Sequence, residues 1–210
     1  MARVSFGVER SGFLFHKENL VMKDLFHGEF VRLTAEDPDV RAKIEVHWQR
    51  DSEYRRLLDS EPAMVVSEKW LKDWFEKRNE EGFSPNRYVF SIRTLVEEKL
   101  IGFFSLWVDL IHSEAWVGIG IGEREFWGKG YGTDMMKLCL RYAFTELNVH
   151  RVSLGLHSYN PRALKSYEKA GFQLEGCTRK DTLREGKRTD GFWMGILREE
   201  WLAMQNGAKP

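Results

Sequence analysis

Cysteine and proline are scarce in this chain of 210 residues, with two and five respectively. Two cysteines, Cys139 and Cys177, are too few for a disulfide framework or a zinc site, so no metal is expected and a reducing, cytoplasmic setting fits. An excess of either charge is also missing, because 32 Lys and Arg balance 32 Asp and Glu. A neutral chain lacks the broad positive field that draws nucleic acid, though it can still hold a local basic site for one anion. No run of 18 apolar residues occurs, so no transmembrane helix or membrane partner is expected. Near the start, only Gly12-Phe13-Leu14-Phe15 is apolar, too short for the core of a secretion signal. Hydrophobic residues make up 42% and aromatics 13%, including eight Trp. That is the composition of one soluble domain burying about 70% of its surface.

The organisation divides into an arm of uncertain role over residues 1–27, with Met22 as a second possible start, a domain over 28–202 and a tail over 203–210. Phe30 to Thr34 alternates as a strand, and Ala35-Glu36-Asp37-Pro38 opens a helix with acids and a proline in its first turn. Ser67 can cap a second helix in which Trp70, Leu71, Trp74 and Phe75 recur at helical spacing. Tyr88–Ile92, Leu100–Leu110 and Ala115–Ile121 form an antiparallel meander. Tyr131 to Leu147 is a long helix with one apolar stripe, on which Cys139 falls. Arg151–Leu156, the short helix Pro161–Ala170, Phe172–Cys177 and Phe192–Leu197 complete the order βααβββαβαββ. The fold class is therefore α/β (α+β), with a mixed, mostly antiparallel seven-stranded sheet. Arg184 to Arg188 reads as a charged hairpin turn whose basic bias offers a contact to a protein substrate, or as an ordinary exposed turn.

Chemistry is written most densely in Trp127-Gly128-Lys129-Gly130-Tyr131-Gly132-Thr133, between a strand and the long helix. Three glycines in five residues let the backbone turn tightly and aim successive N–H groups at one point as a helix begins, a site for phosphate or pyrophosphate. A bare glycine turn satisfies the same pattern. The spacing fits neither a P-loop nor the GxGxxG dinucleotide fingerprint. In the second stretch, Asn160 caps a helix with Pro161 at its first position, and Gly171 ends it. Tyr167 lies two helical turns after Asn160, so both can face one side.

Together these two stretches resemble the GCN5-related N-acetyltransferase (GNAT) family, and the resemblance extends in element order over residues 28–202. It implies a sheet splayed at a cofactor cleft, with acetyl-coenzyme A as acetyl donor. The resemblance places the pyrophosphate on Gly128, Lys129, Gly130, Tyr131 and Gly132, with Thr133 in the first helical turn. Trp127 stands where the family usually has Gln or Arg, a tryptophan often shared by the branch that acetylates protein N-termini and polyamines. The splayed strand, whose main chain pairs with the pantetheine amides, corresponds to Ile119-Gly120-Ile121-Gly122. Asn160 is assigned to the pantetheine side and Tyr167 to the thioester sulfur.

Attack of a primary amine on a thioester requires a proton acceptor for the amine and a donor for the departing thiolate. Tyr167 fits the donor. The glutamate that many relatives carry after the first residue of the splayed strand is replaced by Trp116. His157, after the fifth strand, is the candidate base, with a water chain as the alternative. His112 and Glu114 read as solvated turn residues and His150 as a packing residue. From Glu36 to Glu81 there are 13 acids and 9 bases, a slightly acidic roof that suits a cationic amine or simply a solvated face. The expected acceptor is a peptide or protein α-amine, followed by a polyamine or another small amine. A module that binds acyl-coenzyme A without turnover competes from outside the enzymes. The expected assembly is a monomer or a homodimer.

Overall fold

Asp37 and Pro38 set the first helix as their order suggests: the Asp37 carboxylate accepts from the Asp39 N–H at 2.9 Å and proline occupies the first turn. The computed structural model describes residues 24–82 and 84–207. The arm assigned to residues 1–27 lies outside the described residues up to position 23, and the tail does so from position 208. The elements are β1 Val31–Thr34, α1 Pro38–Gln49, α2 Ser52–Leu58, α3 Glu68–Glu80, β2 Arg87–Thr94, β3 Leu100–Asp109 and β4 Glu114–Ile121, followed by a 3₁₀ turn at Arg124–Phe126. They continue with α4 Tyr131–Thr145, β5 Arg151–His157, α5 Pro161–Ala170, β6 Gln173–Arg184, β7 Lys187–Leu197 and α6 Arg198–Gln205. The seven strands form one sheet in the order β1-β2-β3-β4-β5-β7-β6, with every neighbouring pair antiparallel except β4 and β5.

Two helices were not read in the sequence. Helix α2 has seven residues, too few to display a periodic stripe, and it starts at Asp51, which accepts from the Glu53 and Tyr54 N–H groups at 3.0 and 3.2 Å. Helix α6 follows β7 without a break, where the Glu200 carboxylate takes the Leu197 N–H at 2.8 Å. Strands β6 and β7 run well past Cys177 and begin well before Phe192. Their outer half is largely exposed and charged, so it carries no apolar alternation to read. The charged turn at Arg184 to Arg188 is a hairpin, with Glu185 and Gly186 both at positive φ, 50° and 73°, as tight hairpin turns require.

Strand alternation assigns the two sheet faces. Phe104 and Leu106 join the main core with Met135, Cys139 and Ala143 of α4. Phe103, Ser105 and Trp107 point the other way, beneath α1, α2 and α3. Helices α1 and α3 pack through Ala42, Val46, Leu71 and Phe75. Trp70 and Trp74, read as part of the same stripe, are instead half exposed, because the stripe overlooks a cavity.

The buried Asp134 carboxylate in the first turn of α4 accepts from the N–H groups of Glu29, Phe30 and Val31 at 2.9, 2.7 and 3.1 Å. A Cβ on Gly28 would lie 2.5 Å from that carboxylate, so only glycine fits there. Asp134→Ala strands three donors in a partly buried site and is expected to lower unfolding stability by about 2–4 kcal/mol. Chemical denaturation measures it, and a loss below about 0.5 kcal/mol would show that the clamp does not hold β1.

Candidate functional site

Strands β4 and β5 pair only through Glu114–Arg151, Ala115–Val152 and Trp116–Ser153. Beyond that point β4 continues along β3 to Ile121 and β5 continues along β7 to His157. The two strands therefore diverge, and the edge of Val117–Ile121 that faces β5 has no strand partner. A cleft of about 330 Å³ opens there, reaching from β4 across to α5. Unpaired main-chain groups beside a cleft are ready to pair with amides of a bound ligand.

The glycine loop closes one end of this cleft. Gly128 and Gly130 have φ of +73° and +95°. Gly130 is the N-cap of α4, and no side chain caps the first turn. Its free N–H groups and the positive end of the helix dipole thus face the cleft mouth. A Cβ on Gly128 would meet no atom within 4 Å, which leaves an open cradle for an anion. Gly132 and Thr133 also line the cleft, and the Thr133 hydroxyl lies 3.0 Å from that of Ser166, tying α4 to α5. Arg162, Lys165 and Lys169 add cations from one face of α5.

Trp127 fills the corner of the loop. Its indole N–H donates to the Ile121 carbonyl at 2.7 Å, and the Arg124 and Arg162 guanidiniums lie 5.0 and 4.0 Å from its ring. Ile119 and Ile121 line the cleft and also pack against the core. Gly122 is buried away from the cleft, where a Cβ would lie 2.0 Å from the Trp48 ring. Tyr131 turns inward onto Phe126 and Phe30, with ring centroids 4.8 and 5.5 Å away. Lys129 is exposed on the outer side of the loop.

Asn160, Tyr167 and His157 all border the cleft. Asn160 accepts from the Ala163 N–H at 3.2 Å and donates to the Leu57 carbonyl at 3.4 Å. Tyr159 donates to the Arg56 carbonyl at 2.7 Å, and Arg184 donates to the carbonyls of Asp59 and Glu61, both at 2.9 Å. These three side chains satisfy carbonyls at the end of α2 and hold it over the cleft. Of the three basic residues of the hairpin turn, Arg184 is therefore spent within the fold, while Lys187 and Arg188 are exposed.

The Tyr167 hydroxyl has no hydrogen-bond partner among the described residues, and burial pushes its phenol well above the usual range. It meets a ligand fully protonated. His157 stacks on Tyr159 at 4.8 Å, with its Nδ1 3.4 Å from the Thr182 hydroxyl. Desolvation lowers its pKa, against a smaller opposite effect of a hydrogen bond to the Asp59 main chain, so the ring is neutral near pH 7.

Two sequence expectations are corrected. Glu114 is no solvated turn residue: it opens β4 and accepts from Ser153 at 2.6 Å and Arg151 at 3.3 Å, at the closed end of the strand pair. His150 has an exposed ring, and only its main chain is structural, bonded to Ser113 and Arg198. Trp116 faces Trp193 across the sheet, at a centroid distance of 5.6 Å. His112 stays in an exposed turn, and Cys139 is fully buried, which raises its thiol far above a reactive range.

Tyr54 escaped the sequence reading, as did Arg162, Lys165, Ser166 and Lys169 of the cleft lining. Tyr54 of α2 is 3% exposed, and its buried hydroxyl has no partner among the described residues. That hydroxyl abuts Gly120 of β4, where a Cβ would come within 2.8 Å of it. A helix start at Asp51 and the spacing of Tyr54 within it were the only local signals. Leu58 lines this cleft and also a second cavity of about 620 Å³ beneath α1–α3. Gly118 of the cleft lies against Trp107 and Ser105 of that cavity.

Related proteins share this fold. The acetyltransferase (GNAT) domain model matches residues 29–173. The N-acetyltransferase p20 of Bacillus licheniformis is 26% identical over 172 residues, 81% of this chain and 92% of that protein. A spermidine N(1)-acetyltransferase of Vibrio cholerae is 31% identical over 140 residues, 63% of this chain and 80% of that protein. Among solved structures, a chimera of the Vibrio cholerae spermidine N-acetyltransferase superposes with a TM-score of 0.68 at 25% identity, covering 82% of this chain and 98% of the other. With fold, cleft and family match in agreement, the chain belongs to the GNAT family and is an acetyl-coenzyme A-dependent N-acetyltransferase.

Proposed function

We propose that the acceptor is an α-amine, of a peptide or protein N-terminus, and that it attacks the thioester directly. The observation that carries this reading is the lining of the cleft: among its described residues there is no carboxylate, while His157 is present and uncharged. An α-amine, with a reference pKa near 8, is already partly neutral near pH 7.5 and needs only a weak acceptor for its proton. A polyamine amine, titrating near 10, asks for a stronger base. The polyamine reading is favoured by the relatives, a Vibrio cholerae spermidine N(1)-acetyltransferase and spermidine N-acetyltransferase structures, one of them in complex with CoA and spermine. Steady-state rates with an N-terminal Ala or Ser peptide and with spermidine separate them. Higher kcat/KM for the peptide is expected, and the reverse ranking would overturn the α-amine reading.

The residues present fit the donor. Gly128, Gly130 and Gly132 with the first turn of α4 would hold the pyrophosphate, and the free edge of Val117–Ile121 would pair with the pantetheine amides. When bound, the donor supplies the acetyl carbon as electrophile and a thiolate as leaving group. His157, or a water it polarises, takes the proton released as the nitrogen–carbon bond forms. Main-chain N–H groups of β4 stabilise the carbonyl oxygen as charge gathers on it. Tyr167 gives its proton to sulfur as the carbon–sulfur bond breaks. Arg162, Lys165 and Lys169 face the phosphate end.

Tyr54 has a place in this scheme as a donor to the ligand from beneath β4. A buried hydroxyl without a partner is destabilising by about 1–3 kcal/mol. Tyr54→Phe is therefore expected to leave the free enzyme as stable or more stable, while weakening acetyl-coenzyme A binding roughly 5–20-fold. Paired thermal melts and calorimetric titrations read both. Unchanged affinity would show that the hydroxyl faces no ligand.

A further inference from the structure

The second cavity adjoins the cleft at Leu58 and at the contact of Gly118 with Trp107 and Ser105. Trp70, Trp74, Phe75, Phe103 and Trp107 give it an aromatic wall. Its charges are unevenly satisfied. Glu36 is held by Arg93 at 2.7 Å and Glu45 by Arg41 at 3.1 Å, so the two most buried carboxylates are already neutralised. Asp59 lies 3.9 Å from Arg55, and Glu61 and Glu81 are exposed at the rim.

Two cations are left over. Arg87 on β2 makes no ion pair among the described residues, and its Nε is buried without a partner. Desolvation with no facing carboxylate holds its guanidinium below the usual range. Arg78 on α3 stacks on Trp74 at 4.2 Å, and one of its terminal nitrogens is also buried and unpartnered. Guanidinium N–H groups out of water and without acceptors are costly, and a carboxylate is the group that satisfies them best.

We propose that this cavity is the acceptor site and that it takes a primary amine joined through an apolar or aromatic body to an anionic group held by Arg78 and Arg87. Spacing defines the class further. Arg87 pairs with Trp107, and Trp107 with Trp116, two residues before Gly118. The Arg87 main chain is therefore two strand spacings, roughly 10 Å, from β4, the strand that borders the cleft. A single amino acid is too short to bridge that distance, since one residue extends about 3.5 Å. A tripeptide spans it, with its α-amine toward Gly118 and its carboxylate toward Arg87. Glu61 and Glu81 at the rim keep the cavity as a whole from excluding cations, so the two arginines place the anionic end and do not by themselves reject a polycation. This inference deepens the α-amine reading and rests on it for the reaction, though not for binding.

The test compares Ala-Phe-Ala with a free C-terminal carboxylate and the same peptide as its C-terminal amide. The free acid is expected to have at least about tenfold higher kcat/KM, and the ratio is expected to fall toward one in Arg87→Met and in Arg78→Met, each checked by its melting profile. A ratio near one in the wild type, or a ratio unchanged in both variants, would overturn the proposal. Binding is measured independently by titrating N-acetylated Phe-Ala, as acid and as amide, into the enzyme with coenzyme A bound. Tighter binding of the acid supports the anion site even when no amine is acetylated, an outcome that would fault the transfer reading alone. Equal binding overturns the anion site whatever the activity.

Discussion

Tyr167→Phe is expected to lower kcat by about 10²–10⁴-fold while leaving the affinity for acetyl-coenzyme A within about threefold of the wild type. The hydroxyl has no hydrogen-bond partner among the described residues, whereas the ring packs on Phe172 with centroids 6.1 Å apart. Phenylalanine keeps that packing and removes only the proton. Burial holds the phenol protonated through the neutral range, so the proton is in place before the carbon–sulfur bond weakens. The loss belongs to the chemical step and should show in single-turnover rates. Full activity from pH 6 to 9 would reduce Tyr167 to a packing residue.

Gly130→Val is expected to weaken acetyl-coenzyme A binding by roughly 10–100-fold. Gly130 sits at φ +95°, where a β-branched residue is strained by about 1–3 kcal/mol. A Cβ there would find ordinary contact with Phe30 at 3.6 Å. The effect therefore comes from the backbone: valine would pull the chain out of the left-handed region and turn the first N–H groups of α4 away from their common point. Calorimetric titration of coenzyme A measures it, with the melting temperature as a control for folding. Unchanged affinity would place the pyrophosphate elsewhere.

What was legible in the sequence was local. Gly128–Thr133 and Asn160–Gly171 carry their geometry in consecutive residues, as turn, cap and stop, so both stretches could be placed before their neighbours were known. The strands from Val31 to Ile121 were legible as short apolar runs between polar turns: β1 alternates in burial, while most of β3 is buried on both faces and reads as a continuous apolar run. The outer half of β6 and β7 was not, because neither face is buried and its pairing comes from the hairpin. Tyr54 escaped for another reason. Its significance lies in Gly120, 66 positions away in sequence, and in a helix too short to show a stripe. Arg78 and Arg87 looked like ordinary members of a charged roof. Only the folded arrangement shows that Arg41 and Arg93 have carboxylates while these two have none among the described residues. The role of Glu114 was misread because its partners, Arg151 and Ser153, come from the parallel strand.

The central claim is that an amine entering beside β4 takes the acetyl group directly. Its most direct measurement follows free thiol and peptide mass together, in one reaction of the enzyme with acetyl-coenzyme A and a tripeptide bearing a free N-terminus. One thiol released for each peptide acetylated on its α-amine is predicted, with no release when that amine is blocked. Tight coenzyme A binding without thiol release, for this peptide and for a panel of other amines, would contradict it.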